Sequence, residues 1–126
     1  MSVRSLDSSV LRWPESADVL RALARWAAEQ HQCRPALQRL GYFGSHARGE
    51  AAFGSDLDLI AIVSSAERPF AARTVDWDTE SLPVPVDLLV YTEKEWANLL
   101  AEGGRFAETL QREVHWLPRP TAEQPE

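Results

Sequence analysis

The order of the hydrophobic patterns along the chain predicts an α/β fold. A stretch with helical periodicity is followed by three apolar segments of strand length, and further helical stretches come after them. Residues 59–63 are apolar on both faces, which is typical of a central strand covered by helices. The chain has 126 residues, of which 44% are hydrophobic and 25% are charged, and this composition is that of one soluble domain with one core.

The first predicted helix covers residues 16–32. Val19, Leu23 and Trp26 recur at helical spacing, so they are expected to face the core. Ser16 is a suitable N-cap for this helix, because its hydroxyl can accept a hydrogen bond from an amide of the first turn.

Strand-length apolar segments follow the first helix. They are residues 37–43, 56–63 and 84–91. Between the second and the third lies the stretch 67–82, whose pattern is weak and predicts a short helix followed by a loop.

The C-terminal part predicts two more helices and a last strand. Thr92 and Glu95 have the spacing of a capping box, which predicts a helix that begins there. A further short helix has Phe106 and Leu110 on one apolar face, and residues 114–117 predict a strand.

The overall composition limits the possible classes of function. The net charge of −6 argues against a nucleic-acid partner, because nucleic-acid binders usually carry a basic face. Cys33 is the only cysteine, and neither the apolar core of a signal peptide nor an apolar run of membrane-spanning length is seen in the sequence. We therefore expect a cytoplasmic protein. We expect the domain to cover residues 1–117 and the polar, proline-rich residues 118–126 to form a disordered tail.

A glycine and a serine follow the first predicted strand at Gly44 and Ser45. The missing side chain of Gly44 would let a ligand approach the backbone, and the amides at the start of a helical turn attract anions such as phosphate. Arg48 lies one turn later on the same side and would add a positive charge. Taken alone, a Gly-Ser pair is more typical of an ordinary turn.

Three aspartates are associated with the strands of the predicted sheet. Asp56 and Asp58 are two residues apart, so their side chains project from one face. Adjacent carboxylates repel one another unless a cation joins them, and Mg²⁺ is the usual partner of such a pair. Asp87 interrupts an apolar strand, either as a structural acceptor or as a functional carboxylate, and the neighbouring pair favours the functional role. Together with the turn, three carboxylates indicate a two-metal site for phosphoryl transfer.

The combined motif resembles the signature of the minimal nucleotidyltransferases of the DNA-polymerase-β-like superfamily. In this signature Gly44 and Ser45 are followed by ten residues, then by Asp56 and Asp58, and an aspartate follows in a later apolar strand. The resemblance covers about residues 37–100. It implies the nucleotidyltransferase fold, a small mixed β-sheet of about four strands flanked by helices.

The same resemblance implies a role for each motif residue. The nucleotide would be bound by Gly44, Ser45, Arg48 and Ser55. Two Mg²⁺ ions would be held by the catalytic residues Asp56, Asp58 and Asp87. Asp87 would also favour deprotonation of the acceptor hydroxyl. His46 stands where many relatives have a basic or an aromatic residue, and we expect it to be exposed and not catalytic.

The resemblance implies an enzyme that moves a nucleoside monophosphate, AMP from ATP, to an acceptor hydroxyl. Stand-alone members are often antitoxins of a helical HEPN-domain toxin, so a HEPN-type toxin is the expected partner and acceptor. One alternative is transfer to a small molecule such as an aminoglycoside, in a homo-oligomer whose second subunit completes the acceptor site. Another is an antitoxin that binds its toxin without chemistry.

Overall fold

A computed structural model describes residues 15–52 and 54–119, and its centre is a four-stranded sheet with helices on both faces. The strands are β1 Leu37–Phe43, β2 Leu57–Val63, β3 Val86–Thr92 and β4 His115–Trp116. The helices are α1 Ser16–Cys33, α2 Ser45–Arg48, a 3₁₀ helix Phe70–Asp76, α3 Glu93–Glu102 and α4 Arg105–Glu113.

The sheet is mixed and has the strand order β3-β2-β1-β4. β1 is antiparallel to both β2 and β4, whereas β2 and β3 are parallel. The predicted fold, a small mixed sheet of four strands flanked by helices, is confirmed. β3 lies at one edge of this sheet, with β2 as its neighbour.

The strand β2 lies at the centre of the core and is buried on both faces. Leu59 packs in a cluster with Leu23 and Trp26 of α1, whereas its neighbour Ile60 packs with residues of α3 and α4 on the opposite face. Leu59 and Ile60 are both fully buried, and each such burial stabilises the fold by about 1.5–3 kcal/mol. Residues 59–63 are therefore apolar on both faces because helices cover both faces of this strand, as predicted.

The start of α1 differs by one residue from the prediction. The cap is Glu15 instead of Ser16: the carbonyl of Glu15 accepts from the amide of Val19 at 3.0 Å. The carboxylate of Asp18 in turn accepts from the Glu15 amide at 3.4 Å. The helix starts earlier because a Glu-Asp capping box satisfies its first amides as well as a serine could.

The capping box that was predicted for α3 is present. The hydroxyl of Thr92 accepts from the Glu95 amide at 3.1 Å, and the Glu95 carboxylate accepts from the Thr92 amide at 2.9 Å. In α4 the buried residues are Ala107 and Leu110. Phe106 and Leu110 were predicted to share one apolar face, but Phe106 is 45% exposed whereas Leu110 is fully buried, because the neighbouring Ala107 faces the core instead of Phe106.

A buried arginine holds the stretch between β2 and β3 in place. Arg73 of the 3₁₀ helix is 8% exposed and donates to the backbone carbonyl of Val90 at 3.0 Å. Its guanidinium also donates twice to the carboxylate of Glu95, at 2.6 and 3.0 Å. These bonds join the 3₁₀ helix to β3 and α3. The Arg73 guanidinium, together with the hydrogen bond from the Thr92 amide, lowers the pKa of Glu95 to about 2.

The last described residues lie along β1. The amide of Leu117 donates to the carbonyl of Leu40 at 2.8 Å, and Arg119 donates to the carbonyl of Leu37 at 3.0 Å. Of the tail predicted to be disordered, residues 120–126 lie outside the described part of the chain, as do residues 1–14 of the predicted domain. Among the helices that the structure describes, none is long and apolar enough to cross a membrane.

Candidate active site

The turn between β1 and α2 has a backbone that suits glycine. Gly44 has a φ of 80° and a ψ of −152°, a conformation that L-residues rarely adopt. Its carbonyl accepts from the amides of Ala47 and Arg48, both at 3.0 Å, which starts the short helix. A Cβ atom on Gly44 would lie 2.1 Å from Oδ2 of Asp58. Glycine is therefore needed here so that the turn can lie directly against a carboxylate of the next strand.

Two of the three predicted aspartates are direct neighbours across the sheet. Asp58 of β2 and Asp87 of β3 are partners in the parallel register. Partners in a parallel register point to the same face, and Ile60 and Ile62, on the Asp58 face of β2, pack against α3 and α4. Asp56 precedes β2 and is exposed. The fold thus brings the three carboxylates to one end of the sheet, next to the Gly44 turn.

The electrostatic environment of Asp58 favours a cation. Burial raises the pKa of Asp58, the charges of Asp87 and Asp56 raise it further, and His46 and Arg48 act in the opposite direction. A divalent cation would relieve this repulsion, and carboxylate oxygens are the donors that Mg²⁺ prefers.

The carboxylates do not form a ready-made metal cage. Within residues 15–52 and 54–119, no three His, Cys, Asp or Glu side chains are close enough together to hold one ion. Mg²⁺ usually binds through one or two carboxylates together with the phosphates of its substrate. The donor set around Asp58 therefore fits a Mg²⁺ ion that arrives with a nucleotide.

A cleft of about 440 Å³ lies over the turn and the first two aspartates. It is lined by Phe43, Gly44, Ser45, Arg48, Ser55, Asp56, Asp58, Thr109 and Glu113. All four residues predicted to bind the nucleotide are in this set, whereas Asp87 is not. The hydroxyl of Ser55 accepts from the amide of Ala52 at 2.8 Å, so it also shapes its own loop.

Three residues of the cleft were not predicted as site residues from the sequence: Phe43, Thr109 and Glu113. Thr109 and Glu113 lie one turn apart on α4, and they form the wall opposite the turn. The Glu113 carboxylate accepts from the amide of Gly44 at 3.3 Å and from Arg48 at 3.1 and 3.3 Å. Arg48 also donates to Glu50 at 2.8 Å. The available sequence signal was the position of Glu113, which lies three residues after Leu110 and seven after Phe106 and so places a charge on the predicted apolar face of that helix.

The structure buries His46, which was predicted to be exposed. It is 6% exposed, and its Nε2 lies 3.3 Å from the carbonyl oxygen of Ser55. No hydrogen-bond partner of its Nδ1 is found among the described residues. The short helix turns this side chain under the loop that precedes Asp56, so His46 connects the glycine turn to the aspartate pair.

A larger cleft of about 570 Å³ lies at the other end of the sheet, beside Leu37 and Val63. Its arginines already have partners: Arg73 binds Glu95 and Arg68 binds Asp76. Arg48 in the smaller cleft has carboxylate partners as well, so the arginines do not distinguish the two clefts. The larger cleft contains neither the Gly44 turn nor any of the three predicted aspartates, and the smaller cleft is therefore the candidate site.

The model of the nucleotidyltransferase domain family matches residues 27–118. This range contains the Gly44 turn and all three aspartates. The chain belongs to the nucleotidyltransferase-domain family. It is therefore a nucleotidyltransferase, as the motif predicts.

Solved structures share the fold of this nucleotidyltransferase. A candidate nucleotidyltransferase from Sulfolobus solfataricus is 20% identical, with a TM-score of 0.57 and 80% of each chain covered. A chain of a toxin–antitoxin complex with AMP-PNP is 17% identical, with a TM-score of 0.51, and the match covers 82% of this chain and 75% of that one. At such identities the likeness shows the fold alone. No curated protein matches the sequence.

Proposed function

We propose that this nucleotidyltransferase moves AMP from ATP to a hydroxyl group of a partner protein, and that the partner is a HEPN-type toxin. The observation that carries the proposal is the register pairing of Asp58 with Asp87 beside the Gly44 turn. This arrangement has carboxylates for metal ions and backbone amides for phosphates at one end of one sheet. ATP as the donor fits a reaction in the cytoplasm.

The phosphate groups of ATP would lie against the turn. The backbone amides at Gly44 and Ser45 start a helix, and amides in this position attract anions. Arg48 lies in the same cleft and carries the charge that a triphosphate requires. Ser55 lines the cleft on the side of the aspartates and would complete the nucleotide site.

The carboxylates would hold two Mg²⁺ ions, with Asp56, Asp58 and Asp87 as ligands. When bound, these ions neutralise the phosphate oxygens and lower the pKa of the acceptor hydroxyl. The raised pKa of Asp58 supports this assignment, because burial and the neighbouring carboxylates make its charge costly until a cation is present.

The transfer itself needs a base near the acceptor, and we assign that role to Asp87. The acceptor oxygen forms a bond to the α-phosphorus while the bond from this phosphorus to the bridging oxygen breaks, and pyrophosphate leaves with that electron pair. The hydroxyl proton passes to the Asp87 carboxylate. Asp87 is exposed on the edge strand of the sheet, so a hydroxyl carried by a large acceptor can reach it.

Three observations support a protein acceptor. The cleft is open at the surface, and the carboxylate that we assign to the acceptor lies on the edge strand. The fold is also shared with a chain of a toxin–antitoxin complex that was solved with AMP-PNP, an ATP analogue. A small acceptor would instead need further walls, which a second copy of the chain could supply.

The decisive experiment is a transfer assay with ATP labelled at the α-phosphate. The purified protein, Mg²⁺ and a HEPN-type toxin encoded beside it would be incubated together, and we expect label on the toxin. The matched control is the double variant Asp56→Asn with Asp58→Asn, which should bind the toxin without labelling it. If the wild type binds the toxin tightly but transfers no label, the protein is a binding antitoxin, and the enzymatic proposal fails.

A further inference from the structure

The candidate site already contains an anion, the carboxylate of Glu113. It lies at the end of α4 and reaches the turn, where Gly44 donates to it at 3.3 Å. Arg48 donates to both of its oxygens, at 3.1 and 3.3 Å. The Glu113 side chain is 14% exposed and the Arg48 side chain is 42% exposed, so the carboxylate is half-buried while its arginine partner still faces solvent.

The helix itself gives no reason for a glutamate at this position. Glu113 is the last residue of α4, and a negative charge at a helix C-terminus is unfavourable because the macrodipole is negative there. Glu113 therefore has to be stabilised by groups outside its own helix. The groups that do so are the Gly44 amide and Arg48.

These two groups are the ones that the proposed function assigns to the phosphates of ATP. A carboxylate and a phosphate compete for the same donors, because an amide hydrogen can serve one strong acceptor at a time. Two anions beside one arginine would also repel one another. Glu113 and the triphosphate thus cannot both occupy the Gly44 amide.

We propose that Glu113 is an internal substitute for the phosphate groups of the nucleotide, and this inference rests on the proposed function. In the nucleotide-free protein it holds the Gly44 turn and Arg48 in place. Binding of a triphosphate displaces the Glu113 carboxylate towards solvent. Glu113 is accordingly a positioning residue. Because a ligand with more phosphate groups competes better with the Glu113 carboxylate for Arg48, Glu113 makes tight binding depend on the number of phosphates in the ligand.

Another glutamate provides the matched control. Glu50 also accepts from Arg48, at 2.8 Å, but its side chain is 64% exposed and does not contact Gly44 in the described structure. Glu50→Gln removes the same charge from the same arginine without freeing the turn. If only Glu113→Gln changes nucleotide affinity, the effect comes from competition for the Gly44 amide and not from the loss of a negative charge near Arg48.

The test measures the affinity of wild type, Glu113→Gln and Glu50→Gln for AMP-PNP with Mg²⁺ and for AMP. We expect Glu113→Gln to bind AMP-PNP about tenfold more tightly than wild type, the size of one charge-assisted hydrogen bond that no longer has to be broken. The gain for AMP should be smaller. Glu50→Gln should change either affinity by about twofold or less, because exposed charges are screened.

Glu113→Ala is the second variant, and it removes the competing charge together with the side chain. Both Glu113 variants are first compared with wild type by circular dichroism, and the folded one decides the test. AMP-PNP binding that is unchanged or weaker in a folded Glu113 variant overturns this inference. If wild type itself binds no AMP-PNP with Mg²⁺, the proposed function fails instead, so the two failures are distinguishable.

Discussion

Asp58 and Asp87 face the same side of the sheet as register partners on two parallel strands. Neighbouring strands lie about 4.8 Å apart, so the two carboxylates are held close together by backbone hydrogen bonds. Burial and the two nearby carboxylates raise the pKa of Asp58. The native fold therefore maintains a repulsion at the place where we propose that metal ions bind.

This repulsion predicts that removing a charge stabilises the metal-free protein. Because the pKa of Asp58 is raised in the folded state, its ionisation near neutral pH costs the folded state more than the unfolded chain. We expect Asp58→Asn to have a higher Tm than wild type in EDTA at pH 7. With Mg²⁺ and AMP-PNP the order should reverse, since ligand binding stabilises only the protein that binds it.

The control for that experiment is Glu80→Gln, which removes a charge from an exposed position. Its Tm should follow wild type in both conditions. A variant Asp58→Asn that shows the full wild-type shift with Mg²⁺ and AMP-PNP would place the metal site elsewhere.

Substitution of Asp87 should lower the rate of transfer much more than the affinity for the nucleotide. Asp87→Asn keeps the shape of the side chain but cannot take the proton of the acceptor, so the transfer rate should fall by about 10²–10⁴. The affinity for AMP-PNP should fall much less, because Asp56 and Asp58 still hold metal. Single-turnover transfer and equilibrium binding measure the two effects, and transfer at the wild-type rate would make Asp87 a structural residue.

Gly44 and Gly49 form a natural pair for substitution. Both have positive φ, but a Cβ on Gly44 would meet the Asp58 carboxylate at 2.1 Å, whereas one on Gly49 would meet nothing within 4 Å. Gly44→Ala should destabilise the fold by about 1–3 kcal/mol and abolish the stabilisation by Mg²⁺ with AMP-PNP. Gly49→Ala should cost about 1 kcal/mol and leave that ligand-dependent shift intact. Equal ligand shifts in the two variants would contradict the role given to the turn.

The Arg73–Glu95 pair predicts a loss of stability in acid. The pKa of Glu95 is lowered from 4.5 to about 2 in the folded protein, so its stabilisation is present above pH 4.5 and is lost as the pH falls towards 2. The Glu95 side chain is 40% exposed, and solvent screening limits the effect of Glu95→Gln to about 1 kcal/mol or less at pH 7.

Urea unfolding of wild type and Glu95→Gln between pH 7 and pH 2 measures this effect. The difference in unfolding free energy between the two should shrink as the pH falls below 4.5. Glu93→Gln, on the same helix turn but exposed, is the control and should show no such convergence.

The elements with local signals were predictable from the sequence. β1 occupies the predicted residues, Leu37–Phe43. The signals for this strand are its own residues, a proline shortly before it and a glycine directly after it, and all of them are close together in the sequence. The Thr92 capping box and the Gly44 turn are local in the same sense, since each depends on residues a few positions apart.

The parts that were not predicted depend on contacts between distant residues. Glu113 and Gly44 are 69 positions apart in the sequence, and a hydrophobic pattern cannot predict a contact between residues so far apart. The burial of His46 likewise follows from how a one-turn helix lies against the loop before Asp56. Arg73 resembles a surface arginine in the sequence, and only the fold supplies the carbonyls and the carboxylate that bury it.

The position of β3 at the sheet edge has a consequence for how activity responds to heat. β3 pairs with β2, and residues 64–85 separate the two strands along the chain, so a local opening of β3 needs no change in the β1–β2 hairpin. Local opening of this kind is a normal fluctuation of folded proteins, although the bond from Arg73 to the Val90 carbonyl opposes it here. It would part Asp87 from Asp58 while the rest of the sheet stays folded. Catalysis should therefore disappear at a temperature below that of cooperative unfolding, and return on cooling.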